Sequence, residues 1–549
     1  MNPKLVVLLS FFIITNGNVI AQYSNIENKS KVPQFNYSHK LAQQEKELRT
    51  NPLMLRFQES RKKYEGDRYR PVYHFVSPES RLNDPNGLSF WNGKWHLFYQ
   101  AYPPEDSRQH WGHAISDDLI HWKDLPYAIY PGPEKAVFSG SVMIEKDRAL
   151  AMYYGTSQGI MIAESKDPLL LNWKKLNDSK PVIPVKSKDG SPLSYKVYDP
   201  FLWKKGDWYY ALSGSTKTDS VYKKITGAQF LFKSKDLLNW EYVHDFLRGD
   251  RFTSLGDDGA CPYFLPIGNR HILLFFSHRS GGQYFLGDYN QKEDFFNASS
   301  HGKFNFGATY PSGIHAPSAF SDGKGGVITI FNMNQGRPTA STDGWNQLMS
   351  LPRKLTIAEN QEDLLIEPAG NIESLRFNHQ RLEKLILPAN KEIVLKEIKG
   401  NTMEIIAEID TRKSQMLEMN VLRSETKEEY TSIRFFREKG YEENRQYLQP
   451  IKGQVKNSVI SIETANSSLL SDAGSRPSES ADVYIAPNEK LKLRIFIDKS
   501  VLEVFVNGKQ CLATRVYPSL DDSLGISFKS QGQSSELISI DSWQMKSIY

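Results

Sequence analysis

Two acidic residues stand directly before prolines in matching surroundings. Asn83-Asp84-Pro85 lies 11 residues ahead of Trp95, and Tyr198-Asp199-Pro200 lies 9 ahead of Trp208. A third segment, Ala260-Cys261-Pro262, holds the same place 10 residues before His271. Two carboxylates that face each other can serve as nucleophile, acid, base or charge stabiliser at a glycosidic bond. A single Asp before Pro merely starts a turn, but recurrence in one register points to a shared site.

Such positions need a repeated scaffold, and the sequence carries one. Ser116-Asp117-Asp118-Leu119-Ile120-His121-Trp122 and Ser234-Lys235-Asp236-Leu237-Leu238-Asn239-Trp240 share the pattern SxDLxxW, and Ser165-Lys166-Asp167 with Asn172-Trp173 is a looser copy. Short aromatic or aliphatic runs precede each copy, among them Trp95 to Tyr99, Met152 to Tyr154 and Trp208 to Leu212. Two further runs, His271 to Phe276 and Val327 to Phe331, lack the tryptophan motif. Bounded by Gly, Asn, Asp and Pro, these runs read as strands. Five such units in about 290 residues predict an all-β fold, a five-bladed β-propeller over residues 66–370 with Asp84 and Asp199 facing one funnel. Beyond residue 370 longer alternating strands appear, such as Leu491 to Ile497, and Val506 runs into the hairpin signal Asn507-Gly508. They predict a C-terminal β-sandwich over residues 371–549 with a structural role.

The rest of the chain narrows the partners. Lys and Arg number 68 against 63 Asp and Glu, a net charge of +5 with no basic stripe, which argues against nucleic acid or an anionic membrane as partner. Neither a GxxxxGK[ST] loop nor a strand-linked GxGxxG is present. Cys261 and Cys511, 250 residues apart, fit no disulfide framework or metal spacing. At the N-terminus Lys4 precedes the apolar stretch Leu5 to Ile14, and Val19-Ile20-Ala21 ends in small residues. Residues 1–21 are therefore expected to be a signal peptide cleaved after Ala21, sending the protein to the periplasm or outside the cell, with no membrane insertion. Residues 22–65, polar and without sustained period, read as an arm or linker.

The series Leu82-Asn83-Asp84-Pro85-Asn86-Gly87, Phe98-Tyr99-Gln100, His110-Trp111-Gly112-His113 and Phe138-Ser139-Gly140-Ser141 resembles glycoside hydrolase family 32, the invertases, inulinases and levanases. The likeness continues in family order through Tyr198-Asp199-Pro200, Cys261-Pro262, Ser350-Leu351-Pro352-Arg353 and Glu373-Ser374-Leu375-Arg376. It implies retaining hydrolysis of β-fructofuranosides in an oligosaccharide or polysaccharide, without cofactor or metal. Asp84 matches the family's nucleophile and Asp199 its transition-state stabiliser. Asn83, Gln100, Trp111 and Ser139 match residues that hold sugar hydroxyls or shape the first subsite, and Phe138, Tyr198 and His315 complete the expected substrate contacts.

Two positions depart from the family. Its acid/base Glu precedes Cys-Pro, where this chain has Ala260, and its Arg before Asp-Pro is here Tyr198. A retaining glycosidase needs a group that protonates the leaving oxygen. Asp258 is the expected substitute, ahead of Asp257 and His278. Trp122, Trp173 and Trp240 recur with the repeat and are expected in packing, whereas Trp111 and Trp345 are expected in a pocket wall. A glycosidase of the same fold acting on another sugar, and a carbohydrate-binding protein without catalysis, are the alternatives.

Overall fold

The computed structural model describes residues 29–549 apart from 188, 222, 249–251, 309, 311–312, 337–343, 440–456 and 475. The expected signal peptide lies outside the described residues.

The chain is mostly β-sheet. Between Leu82 and Pro368 five antiparallel sheets follow one another, each a meander. Their leading strands are Leu82–Trp91, Val137–Ile144, Pro200–Lys205, Ala260–Ile267 and Ile314–Ser321. The SxDLxxW segments close the turn between the third and fourth strands of the first three sheets. In each, the Asp carboxylate accepts backbone N–H groups: Asp118 from Ile120 and His121, Asp167 from Leu171 and Asn172, Asp236 from Leu238 and Asn239. Leu119, Leu170 and Leu237 take left-handed φ values of +71°, +52° and +68°. This conformation is costly for leucine and is offset by the carboxylate bonds and by burial of all three side chains.

The expected architecture of a five-bladed β-propeller followed by a β-sandwich is corrected here. The strands pair into seven open sheets, and no closed propeller or curled sheet is present among the described residues. The aromatic runs and turn motifs dictate the four-stranded unit, but they say nothing about how sheet edges close. The leading strands do lie against one another. Leu82–Trp91 packs on Val137–Ile144 and Ile314–Ser321, and Ala260–Ile267 packs on Pro200–Lys205 and Ile314–Ser321. The buried Tyr263 hydroxyl ties three of these strands to its own, accepting from Gly87 N at 3.0 Å, donating to Gly140 O at 2.9 Å and meeting Ser318 Oγ at 2.9 Å.

After Pro368 come two six-stranded sheets that share one apolar core, including Ile405, Ile495 and Leu502 from one sheet and Met419, Ile433 and Phe528 from the other. A second apolar cluster joins Phe264, Leu273 and Phe331 of the first half to Phe496, Val501 and Phe505 of the second.

The segment expected as a loose arm is helical and docked. Helices α1 (Leu41–Thr50) and α2 (Pro52–Lys63) meet at Asn51, whose side chain caps α2 by accepting from Leu53 N at 2.9 Å. Leu53 and Phe57 are buried, Gln44 Nε2 donates to Asp167 at 2.6 Å, and Arg61 pairs with both oxygens of Asp124. Among the described residues no helix is long and apolar enough to cross a membrane.

Candidate active site

The leading strands are irregular where the chemistry is expected. Pairing slips between Leu82 and Pro85, between Val137 and Gly140, between Ala260 and Tyr263, and between Ile314 and Pro317. Asn83, Asp84, Phe138, Ser139, Cys261 and His315 all fall in these four bulges, and a bulge releases a side chain from the sheet's alternation and re-aims it. Asp199 comes just before the third leading strand, with its carbonyl accepting Gly214 N at 2.9 Å. The prolines that follow Asp84, Asp199 and Cys261 have no N–H to give the ladder, which suits a strand start or bulge.

Around Asp84 the polar groups form one network. Ser139 Oγ donates to Asp84 Oδ2 at 2.6 Å, and Gln100 Nε2 reaches the same oxygen at 3.3 Å and Ser139 Oγ at 2.7 Å. Gln100 Oε1 accepts from Asn83 Nδ2 at 3.0 Å and from Gln109 Nε2 at 2.9 Å. Asn332 Nδ2 donates to Asn83 Oδ1 at 3.1 Å. The bonds described for the Asp84 carboxyl all fall on Oδ2.

The Cys261 thiol stands between the two carboxylates, 3.7 Å from Asp84 Oδ2 and 3.6 Å from Asp199 Oδ2. Burial raises the pKa of Asp84, against the Ser139 hydroxyl and the charge of His278. Burial, then the neighbouring charge of Asp84, push Asp199 up to about 7, against the Cys261 N–H and thiol. Two like charges this close hold one proton between them near neutrality.

Other expected residues divide. Phe138, Tyr154 and Tyr198 form an aromatic run from Ser139 to Asp199, with ring centroids 6.0 and 5.3 Å apart. Tyr198 is exposed. His315 stacks on Phe276 at 5.0 Å and meets Asn334. Trp111 is no pocket wall: it is fully buried between Phe98 and Tyr153, its indole N–H donating to Phe138 O at 2.9 Å. Trp345 donates to the Asp67 carboxylate and sits beneath Arg70 and Arg515. Ala260 is buried against Cys261, Phe276 and Ala316, and Asp258 turns its carboxylate onto His278.

Gln109 and Asn332 were not anticipated. A signal for Asn332 exists: polar residues end four of the aromatic runs, at Gln100, Ser213, Ser277 and Asn332. Among the described residues no group of three or more His, Cys, Asp or Glu is arranged to hold a metal ion.

Comparison with known proteins gives a consistent picture. The model of the glycosyl hydrolases family 32 N-terminal domain matches residues 74–368, and that of the family 32 C terminal matches residues 371–544. Sucrose-6-phosphate hydrolase of Zymomonas mobilis is 28% identical over 84% of this chain and 90% of its own. Levanase of Bacillus subtilis is 26% identical over 83% and 67%. Among solved structures, fructan 1-exohydrolase IIa from Cichorium intybus superimposes with a TM-score of 0.74 at 22% identity, covering 88% of this chain and 98% of that one.

Proposed function

The chain belongs to glycosyl hydrolases family 32, and from that premise we propose that it hydrolyses β-fructofuranosidic bonds of the sucrose, levan or inulin type with retention of configuration. The observation that carries the reading is the placement of Asp84, in the first leading strand, and Asp199, just before the third, against one thiol. Asp84 is the nucleophile. Ser139 and Gln100 hold Oδ2, so Oδ1 is the atom that attacks the anomeric carbon. Asp199 steadies the positive charge that develops on the ring, because a nearby cation favours its ionised form. Asn83, Gln100 and Ser139 take sugar hydroxyls, while Phe138, Tyr154 and Tyr198 supply an apolar wall. Residues 1–21 direct export, so the substrate is met in the periplasm or outside the cell.

Purified protein incubated with sucrose, inulin and levan should release fructose. Intact-mass spectrometry during turnover of an activated fructoside should show one added fructosyl unit, absent from Asp84→Asn. No product from any fructoside would overturn the reading. Ala260, buried and without a carboxyl, favours a second reading, a carbohydrate-binding protein without catalysis. Affinity for these sugars without turnover would support it.

A further inference from the structure

The alanine at position 260 removes the expected proton donor, yet a titratable group stands beside the gap. Ala260 pairs with Phe276 across the fourth sheet. Two residues past Phe276, His278 has three quarters of its side chain exposed and its ring 4.8 Å from that of Phe276.

Two neighbouring aspartates fix it there. Asp257, buried, accepts from Ser277 Oγ at 2.7 Å and from Ser280 Oγ at 2.8 Å, clamping the turn that carries His278. Asp258 accepts the His278 backbone N–H at 3.0 Å and meets His278 Nδ1 at 2.6 Å. A carboxylate on Nδ1 fixes the tautomer and ring orientation and leaves Nε2 to exchange a proton with substrate. Among the described residues none hydrogen-bonds to Nε2.

We propose that His278, positioned by Asp258, supplies and recovers the proton for glycoside cleavage in the place vacated at Ala260. The proposal rests on the fructosidase reading above. In the first step Asp84 Oδ1 bonds to the anomeric carbon while the bond to the leaving group breaks. The electron pair stays on the leaving oxygen, which takes the Nε2 proton. In the second, water attacks the anomeric carbon and gives its proton to neutral Nε2, and the ester bond breaks with its electron pair returning to Asp84. Atoms and charge balance with water as the only co-reactant.

The charged groups around the imidazole agree with this role. The Asp258 hydrogen bond first, then the charges of Asp258, Asp84 and Asp199, raise the His278 pKa against partial desolvation. The adjacent Arg279 turns its guanidinium to Leu255 O at 2.8 Å, and His315 lies on the same Phe276 ring. These charges favour the protonated imidazole.

The test uses sucrose, whose leaving group needs a proton, and 4-nitrophenyl β-fructofuranoside, whose leaving group does not. His278→Ala should lower kcat/KM on sucrose about 10²- to 10⁴-fold, and on the aryl substrate by about tenfold or less. Its sucrose profile should lose the fall in activity at alkaline pH. Azide, a nucleophile needing no deprotonation, should restore turnover of the aryl substrate and yield fructosyl azide. Asp258→Asn should give a smaller loss and move the alkaline fall to lower pH. Equal losses on both substrates, or an unchanged alkaline limb, would overturn the role of His278 while leaving the fructosidase reading intact. A wild-type protein inert to both substrates, without an adduct, would overturn both.

Discussion

The backbone N–H of Cys261 lies 3.3 Å from Asp199 Oδ2, and its thiol 3.6 Å from the same oxygen, while its φ is +49°. A non-glycine residue is thus held in the left-handed region at the site, and that conformation turns its N–H toward the carboxylate. The bulge between Ala260 and Tyr263 makes room for it.

Because the stronger of the two contacts comes from the backbone, Cys261→Ala should keep Asp199 in place and reduce kcat by less than about tenfold, the thiol being a weak donor. Cys261→Val places a branched side chain at positive φ and should cost about 1–3 kcal/mol of stability. Thermal unfolding beside steady-state kinetics separates the two effects. A large loss of activity in the Ala variant would give the thiol itself the larger role.

Asp84→Asn should lower turnover by on the order of 10⁴-fold or more, as removal of a nucleophile does. The fold should gain rather than lose. A carboxyl whose folded pKa is raised weakens the native state once pH exceeds its unfolded value. The variant should therefore melt at or above the wild-type temperature at pH 7, and the difference should vanish near pH 4. Wild-type turnover by the variant would remove Asp84 from the mechanism.

Asp199→Asn should reduce kcat and kcat/KM together, as loss of a transition-state contact does. It should also move the acid limb of the pH profile. In the wild type the pair sheds its shared proton near pH 7. Without a second charge Asp84 ionises more easily, so activity that remains should persist to lower pH. A rise in KM alone would mark Asp199 as a binding contact.

What the sequence made legible was local. Asp84, Asp199, Ser139 and Gln100 came from motifs fixed by adjacent prolines and aromatic runs, and they meet because the leading strands are neighbours. The helical arm was missed because few of its residues are apolar. It docks through bonds that span the chain, such as Gln44 to Asp167, which composition does not reveal. Trp111 misled because a motif gives residue type without depth, and Phe98 and Tyr153 enclose its ring. The propeller expectation failed at the sheet edges, where a repeat of turns and strands carries no pairing information. Asp258 was singled out for its carboxyl, yet its partner 20 residues away redirects it.

The junction between the two halves offers a separate test, through stability rather than activity. Asp498 accepts the backbone N–H groups of Val72, Tyr73 and His74 at 2.8–2.9 Å, and His74 Nδ1 lies 2.9 Å from it. His74 Nε2 lies 3.3 Å from Glu503, which also accepts from Leu351 N and Arg353 Nη2. An imidazole between two carboxylates binds both only as the cation. Its pKa is raised by Asp498 and Glu503 against burial, and that of Glu503 is lowered by Arg353 and His74, also against burial. The stability due to His74 is complete below its unfolded pKa, about 6.5, and is lost as pH rises through the higher folded value. That due to Glu503 is present above its unfolded pKa, about 4.3, and is lost as pH falls through the lower folded value. Both act together from about pH 4.5 to 6.5. Urea midpoints should be highest in that window as far as these groups decide them, and should decline on the alkaline side. His74→Gln should flatten the alkaline decline. Glu503→Ala, which strands a buried Arg353, should cost about 3–5 kcal/mol. An alkaline decline that survives His74→Gln would show that another group titrates at the junction.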